Sequence, residues 1–162
     1  MPTRDCPRSH CPIAFSLDIL GDRWTLVVLR DLVINRKRLF RELLEAEEGI
    51  ATNILTQRLR RLEAAGIVTR RADPDNARQV LYEPTAKGLD LVPLLVELAR
   101  WGATHDPQTA APRGFLKQVA GDRDGVIKAI RSPHEASARQ PGAGKRITRH
   151  RVTTANIRSR EK

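Results

Sequence analysis

The stretch GIATNILTQRLRRLEAAGIVTRR, Gly49 to Arg71, decides the fold. Leu55, Leu59 and Leu62 recur at i, i+4 and i+7, so the segment is a helix with one buried stripe, and Ile50 can pack at its entry. Thr52 is the expected N-cap, and Gly66 followed by Ile67 fits a left-handed C-cap with an apolar residue after it. The opposite face is unusual for one that only meets water. Asn53, Thr56, Gln57 and Arg60 fall at i, i+3, i+4 and i+7 and share one side. Asn and Gln can pair bidentately with adenine and Arg with guanine, while Thr can meet a base edge or a thymine methyl. An arginine-rich helix face is more often merely solvated, so this face gains meaning only from its surroundings.

Upstream, Ile13 to Leu20 reads as a first helix that stops at Gly21, with Ile13, Leu17 and Leu20 on one face. The segment DRWTLVVLRDLV is apolar almost all round, which places it at the centre of a core. RLFRELLEA is a third, short helix with Leu39, Leu43 and Phe40 facing inward. Downstream, Val68 to Ala72 and Gln79 to Glu83 are β-prone, and DPDNAR between them supplies turn residues, so a two-stranded hairpin is expected to end at Pro84. Thr85 can cap a long last helix to Gly102 that Pro93 should kink or interrupt, and its apolar surface exceeds what one small core covers. A partner subunit is the natural cover.

Helix, helix, turn, helix, hairpin is the order of a winged helix-turn-helix, mainly α with a small β-hairpin. In that fold the third helix of the trio enters the major groove and the wing lies against the backbone or minor groove. Arg38 and Arg41 on the supporting helix, Arg58 and Arg61 flanking the reading face, and Arg70 and Arg78 on the wing are the candidate phosphate contacts. Arg36, Lys37 and Arg71 add to the basic surroundings. Glu45, Glu47 and Glu48 crowd the turn before the reading helix and would repel phosphate, so they are expected to point aside.

Composition agrees with a polyanionic partner. The 162 residues hold 29 Lys plus Arg against 19 Asp plus Glu, a formal +10. From His134 onward there are eight basic and two acidic residues, so +6 of that charge belongs to the tail. No apolar run reaches the length of a membrane span and no charged-then-apolar leader opens the chain, which is expected to be cytoplasmic. The expected organisation is an irregular lead-in over 1–10, a winged helix-turn-helix domain with dimerisation helices over 11–105, and a basic, largely disordered extension over 106–162 with room for short helices in FLKQVA and GVIKAIR.

CPIAFSLDILGDRWTLVVLRDL, KRLFRELL, GIATNILTQRLRRLEAAGIVTRR, YEPTAKG and LARWG, in that order, resemble the successive signatures of the HxlR-type winged helix-turn-helix regulators over Cys11 to Gly102. The resemblance implies a homodimeric bacterial transcription regulator, paired through its first and last helices on a palindromic promoter site of double-stranded DNA. The chain departs from the pattern at Ala51, where a Ser cap is common, at Pro84, and in its long basic tail. The resemblance also implies a role for Cys11, because some members use the matching cysteine as an oxidant or electrophile sensor. Arg8 and His10 lie close in sequence and would favour a thiolate, whereas a small inert residue at a dimer contact is the alternative.

Cys6, His10 and Cys11 match no closed tetrahedral zinc pattern, so no metal is expected. Nor is a cofactor or catalysis: the histidines stand apart at 10, 105, 134 and 150, and no Gly-rich phosphate loop or nucleophile motif occurs. A small-molecule effector is compatible with such a regulator and invisible in its sequence. The tail fits a second, sequence-independent DNA contact or an incidental solubilising extension. The rival to a regulator is a winged-helix protein-interaction module with non-specific nucleic-acid binding.

Overall fold

The computed structural model describes residues 10–74, 76–112 and 114–138. The order is α1 (Pro12–Leu20), α2 (Arg23–Val33), α3 (Phe40–Leu44), α4 (Thr52–Ala64), β1 (Val68–Asp73), β2 (Asn76–Pro84), α5 (Ala86–Leu89), α6 (Val92–His105), α7 (Phe115–Gly121) and α8 (Arg123–Ala138). The core is built where α2 and α4 face each other. Val28, Leu29, Leu32 and Val33 of α2 and Leu55, Leu59 and Leu62 of α4 are all buried, and Leu43, Ile50, Ile67 and Val68 close the layer.

Local chemistry sets each boundary. Asp22 caps α2 by accepting from the Thr25 amide at 3.0 Å and from the Thr25 hydroxyl. Glu42 reaches back from α3 to accept from the amides of Arg38 and Leu39 at 3.0 and 3.1 Å. Ala51, not Thr52, occupies the N-cap of α4, and Ala51 supplies no side-chain cap. Thr52 is thus already the first helical residue, and the helix begins one position earlier than its hydroxyl suggests. At the other end Gly66 adopts φ +68, with Ile67 N–H bonding the Leu62 carbonyl at 3.0 Å and Gly66 N–H that of Glu63 at 2.9 Å, the pair of bonds a glycine stop requires.

β1 and β2 are antiparallel, with Val68 opposite Pro84 and a register irregularity at Ala72/Asp73. The second strand starts three residues earlier than the β-prone run, at Asn76, and ends at Pro84 as expected. Leu39 bridges to Leu81, and the Tyr82 amide donates to the Arg38 carbonyl at 2.8 Å, so the loop before α3 is fastened to the wing.

The expected long last helix is two helices. Thr85 caps the first by accepting from Gly88 N–H at 3.1 Å, while its hydroxyl donates to the Gly66 carbonyl at 2.8 Å. Pro93 then sits in the first turn of α6, where its missing N–H has no partner to lose. Lys87 Nζ adds a bond to the Ala65 carbonyl at 2.8 Å. Together these contacts lock the start of the last helices against the end of α4.

Two faces remain uncovered. Ile13, Phe15 and Leu17 of α1 are 69, 63 and 59% exposed, and only Leu20 of the expected inward stripe is buried; Leu94, Leu98 and Trp101 of α6 are also exposed. Past Asp106, α7 and α8 are longer than the short segments allowed for, and they pack on the domain. Val119 is buried, and Phe115, Val126, Ile127 and Ile130 rest against the core. The extension over 106–162, expected to be largely disordered, carries α7 and α8 in its described part, and residues 139–162 lie outside the described residues, as does Cys6. Among the described residues no helix is long and apolar enough to cross a membrane.

A β-carbon at Gly88 would lie 2.3 Å from the backbone oxygen of Ile67, which cannot move without opening the α4–α5 junction. Gly88→Ala is therefore expected to lower stability by about 1–3 kcal/mol, read from urea unfolding. An unchanged midpoint would show that the junction is not tight.

Candidate nucleic-acid interface

The presented face of α4 is set by the burial of the other one. With Leu55, Leu59 and Leu62 against α2, the side chains of Asn53, Gln57 and Arg60 point to solvent. They span eight residues, about 10 Å along the axis, or roughly three base steps. Thr56 lies on the same side, half-buried, its hydroxyl donating to the Thr52 carbonyl at 2.8 Å. The structure thus brings all four candidate base readers to one face. Because the N-cap is alanine, the first amides of α4 lack a side-chain acceptor, and they lie on the end of the helix that suits an anion.

The candidate phosphate contacts divide. Arg41 on α3 and Arg70 and Arg78 on the wing are exposed. Arg38 is instead held by Glu83, which also takes Arg71 Nε at 2.6 Å, so one carboxylate organises two wing-side guanidiniums. Burial pushes the Arg38 pKa below its ordinary value, and the charge of Arg71 adds to that. Arg61 donates to the Asp18 carbonyl of α1. Arg58 is mostly buried, with Nε 3.0 Å from Asp22 Oδ1. The contact is an ion pair, and the buried Nε makes no hydrogen bond. Arg58 therefore ties α4 to the cap of α2.

Sequence reasoning missed the group that orients this face. Asp31, 1% exposed in the last turn of the apolar α2, accepts from Arg30 Nε at 2.9 Å, Arg30 Nη2 at 2.7 Å, Asn35 Nδ2 at 2.8 Å and Lys37 Nζ at 2.6 Å. Arg30 also clamps Glu48 through both guanidinium nitrogens, with Nη2 3.0 Å from Oε2. The hydrogen bonds that Arg30 donates to Glu48 and Asp31 raise its pKa above its usual value, and Arg30 holds Glu48 down to about 2. Glu48 is thus engaged by Arg30 and half-buried, while Glu45 and Glu47 stay at the surface. The only sequence signal was a charged pair, Arg30-Asp31, inside an apolar helix.

A helix-turn-helix of α3 and α4, a hairpin pinned beside it and a polar, cationic exposed face define the class: a winged helix-turn-helix. The model of the HxlR-like helix-turn-helix family matches residues 19–110, and the chain belongs to that family. The uncharacterized HTH-type transcriptional regulator sll1512 of Synechocystis sp. is 38% identical over 93 residues, covering 57% of this chain and 68% of its own. Among solved structures, the redox regulator HypR in its oxidized form superposes with a TM-score of 0.54 at 32% identity, over 59% of this chain and 98% of that one. The reduced form of the transcriptional regulator YodB from B. subtilis gives 0.50 at 28% identity, over 62% of this chain and all of that one.

The Glu48 carboxylate is ordinary in the unfolded chain, near 4.5, and depressed to about 2 in the folded one. The unfolded state takes up the proton first, so this part of the stability is present above about pH 4.5 and is lost as the pH falls toward 2. Glu48→Gln should flatten the stability–pH curve in that window relative to the parent chain. Parallel curves would mean that Arg30 does not hold the charge.

Proposed function

We propose that the protein is a cytoplasmic, non-catalytic transcription regulator that binds a palindromic promoter site in double-stranded DNA as a homodimer. The observation that carries this reading is the exposed row Asn53, Gln57 and Arg60 on a helix whose other side is buried in α2. Asn53, Thr56, Gln57 and Arg60 read bases; Thr56 does so through its methyl or after releasing the Thr52 carbonyl. Arg41, Arg70 and Arg78 meet phosphates directly, a role their exposure supports. Arg38 and Arg61 serve after exchanging an internal partner for phosphate, and Arg58 would have to leave Asp22.

The dimer rests on the uncovered apolar faces of α1 and α6, which together expose Ile13, Phe15, Leu17, Leu94, Leu98 and Trp101. A two-fold partner would cover them and set two copies of α4 about one helical turn of DNA apart. A small-molecule effector belongs to the same reading, and the open cleft of about 410 Å³ lined by Ala103, Pro107, Pro112, Leu116 and Lys117 is where it would be sought.

Thiol control is the finer part. Cys11 is exposed at the N-cap of α1, immediately before the helix that carries the apolar face, so an adduct there would disturb the subunit contact. The likeness to HypR, a redox regulator, supports the same assignment. Cys11→Ser should bind the site as the parent does yet ignore diamide. A variant that still releases DNA on oxidation would remove Cys11 from the account.

The division between reading and anchoring is open to a direct comparison. Gln57→Ala should cost about 1–3 kcal/mol at its own base pair and relax the preference there. Arg70→Ala should instead weaken binding to all sequences alike. Identical specificity profiles for the two variants would contradict the proposed function of α4.

A further inference from the structure

Among the described residues Arg36, in the loop between α2 and α3, is the one residue other than glycine with a positive φ, +55°. In the left-handed region a β-carbon crowds the following carbonyl, a cost that glycine escapes and that asparagine and aspartate bear best of the rest. Arginine has neither advantage.

The backbone on both sides forces the turn. The amides of Ile34 and Asn35 both bond the Arg30 carbonyl, at 2.8 and 3.2 Å, and the Lys37 amide bonds that of Asp31 at 3.0 Å. The Asp31 carboxylate holds the Asn35 and Lys37 side chains as well, at 2.8 and 2.6 Å. His134 Nε2 lies 2.8 Å from the Val33 carbonyl, so α8 braces the same helix end. Toward α3, the Arg38 amide donates to Glu42 Oε2 at 3.0 Å and the Arg38 carbonyl accepts from the Tyr82 amide at 2.8 Å. Residue 36 is thus over-determined by its neighbours, the condition under which a strained conformation persists. A glycine would make this turn without strain, so the backbone gives no reason for an arginine.

The side chain does. The basic residues around it spend their charges inside the chain: Arg30 and Lys37 on Asp31, Arg38 and Arg71 on Glu83. Arg36 is exposed, and among the described residues no ion pair or hydrogen bond engages its guanidinium. Its charge and that of Arg38 both bear on His134, so this corner holds cations in excess. The loop runs directly into α3, the first helix of the helix-turn-helix, which in this fold crosses the phosphate backbone. Leu39 also bridges it to Leu81 of the wing.

We propose that Arg36 is a further phosphate contact of the DNA interface, presented by a strained turn between the helix-turn-helix and the wing. The inference rests on the DNA-binding reading above and adds to it a residue whose backbone conformation opposes its presence. A phosphate supplies the anion that the corner lacks, and the planar guanidinium can donate two parallel hydrogen bonds to its oxygens.

The test sets stability against binding in the full chain. Thermal unfolding is followed beside binding to a labelled mixed-sequence duplex of about 30 base pairs, by fluorescence anisotropy between about 50 and 200 mM salt. Arg36→Gly should raise Tm by about 1–5 °C as the strain is relieved. The same variant should bind about three- to tenfold more weakly at the lowest salt, with a log K–log salt slope shallower by roughly 0.9 per bound chain. Arg36→Lys, which keeps the charge, should retain the parent slope. Lys117→Gln removes one charge from α7, which lies against α6 and α8, and should leave both binding measures unchanged. Parent-like affinity and slope in Arg36→Gly would overturn the contact, and so would an equal deficit in Lys117→Gln, which would mean that net charge alone acts. A lower Tm in Arg36→Gly would overturn the claim that the turn is strained. Absence of binding by the parent chain would overturn the DNA-binding reading itself.

Discussion

A single buried carboxylate holds the frame on which the rest depends. Asp31 sits in the last turn of α2 with two cations and an amide around it, and one of those cations, Arg30, also holds Glu48 in the turn before α4. Through that chain of charges the end of α2, the loop before α3 and the entry to α4 become one rigid corner. A carboxylate so deeply placed is costly unless each oxygen is satisfied, and here each is. The cost of burial is offset by specificity of geometry: an apolar residue at this position would fill space without fixing where the loop and the turn must lie.

The corner has a functional consequence. Glu48 would lie close to the expected path of phosphate if it faced outward, and its pairing with Arg30 turns a repulsive charge into a structural one. Glu83 does the parallel service on the wing by gathering Arg38 and Arg71. Asp22 does so again at the start of α2 by combining a helix cap with the Arg58 ion pair. Three carboxylates therefore orient basic side chains rather than merely cancelling them. The arginines at the exposed face are left with water as their immediate environment, which counterions and phosphate can replace.

Much of this fold was legible because its determinants are local. The leucine stripe of α4, the Gly66 stop and the Thr85 cap each depend on residues a few positions apart, and each stands where the pattern put it, whereas Asn76 to Arg78 of the expected DPDNAR turn belong to β2. The misreadings arose where distant parts of the chain compete. Thr52 looked like the cap because its hydroxyl suits one, yet Ile50 has to be buried, and that advances the helix cap to Ala51. Pro93 was compatible with a kink or a break, and the docking of Gly88 on Ile67 favours the break. The outward turn of Ile13 and Leu17 could not be seen, because periodicity tells which residues share a face and not what covers it. At the site, the placement of Asn53, Thr56, Gln57 and Arg60 on one side of α4 was legible, whereas the internal commitments of Arg38, Arg58 and Arg61 were not, since their partners lie 45, 36 and 43 residues away.

The central claim is that the exposed side of α4 selects a DNA sequence. The most direct measurement is selection of bound fragments by the full chain from a random duplex pool at about 150 mM salt, with sequencing of the recovered DNA, a salt level at which non-specific binding is already weak. The account predicts a two-fold symmetric motif with half-sites centred about one helical turn apart, altered within each half-site by Gln57→Ala. Uniform recovery with no enriched motif, or a motif indifferent to that substitution, would contradict it.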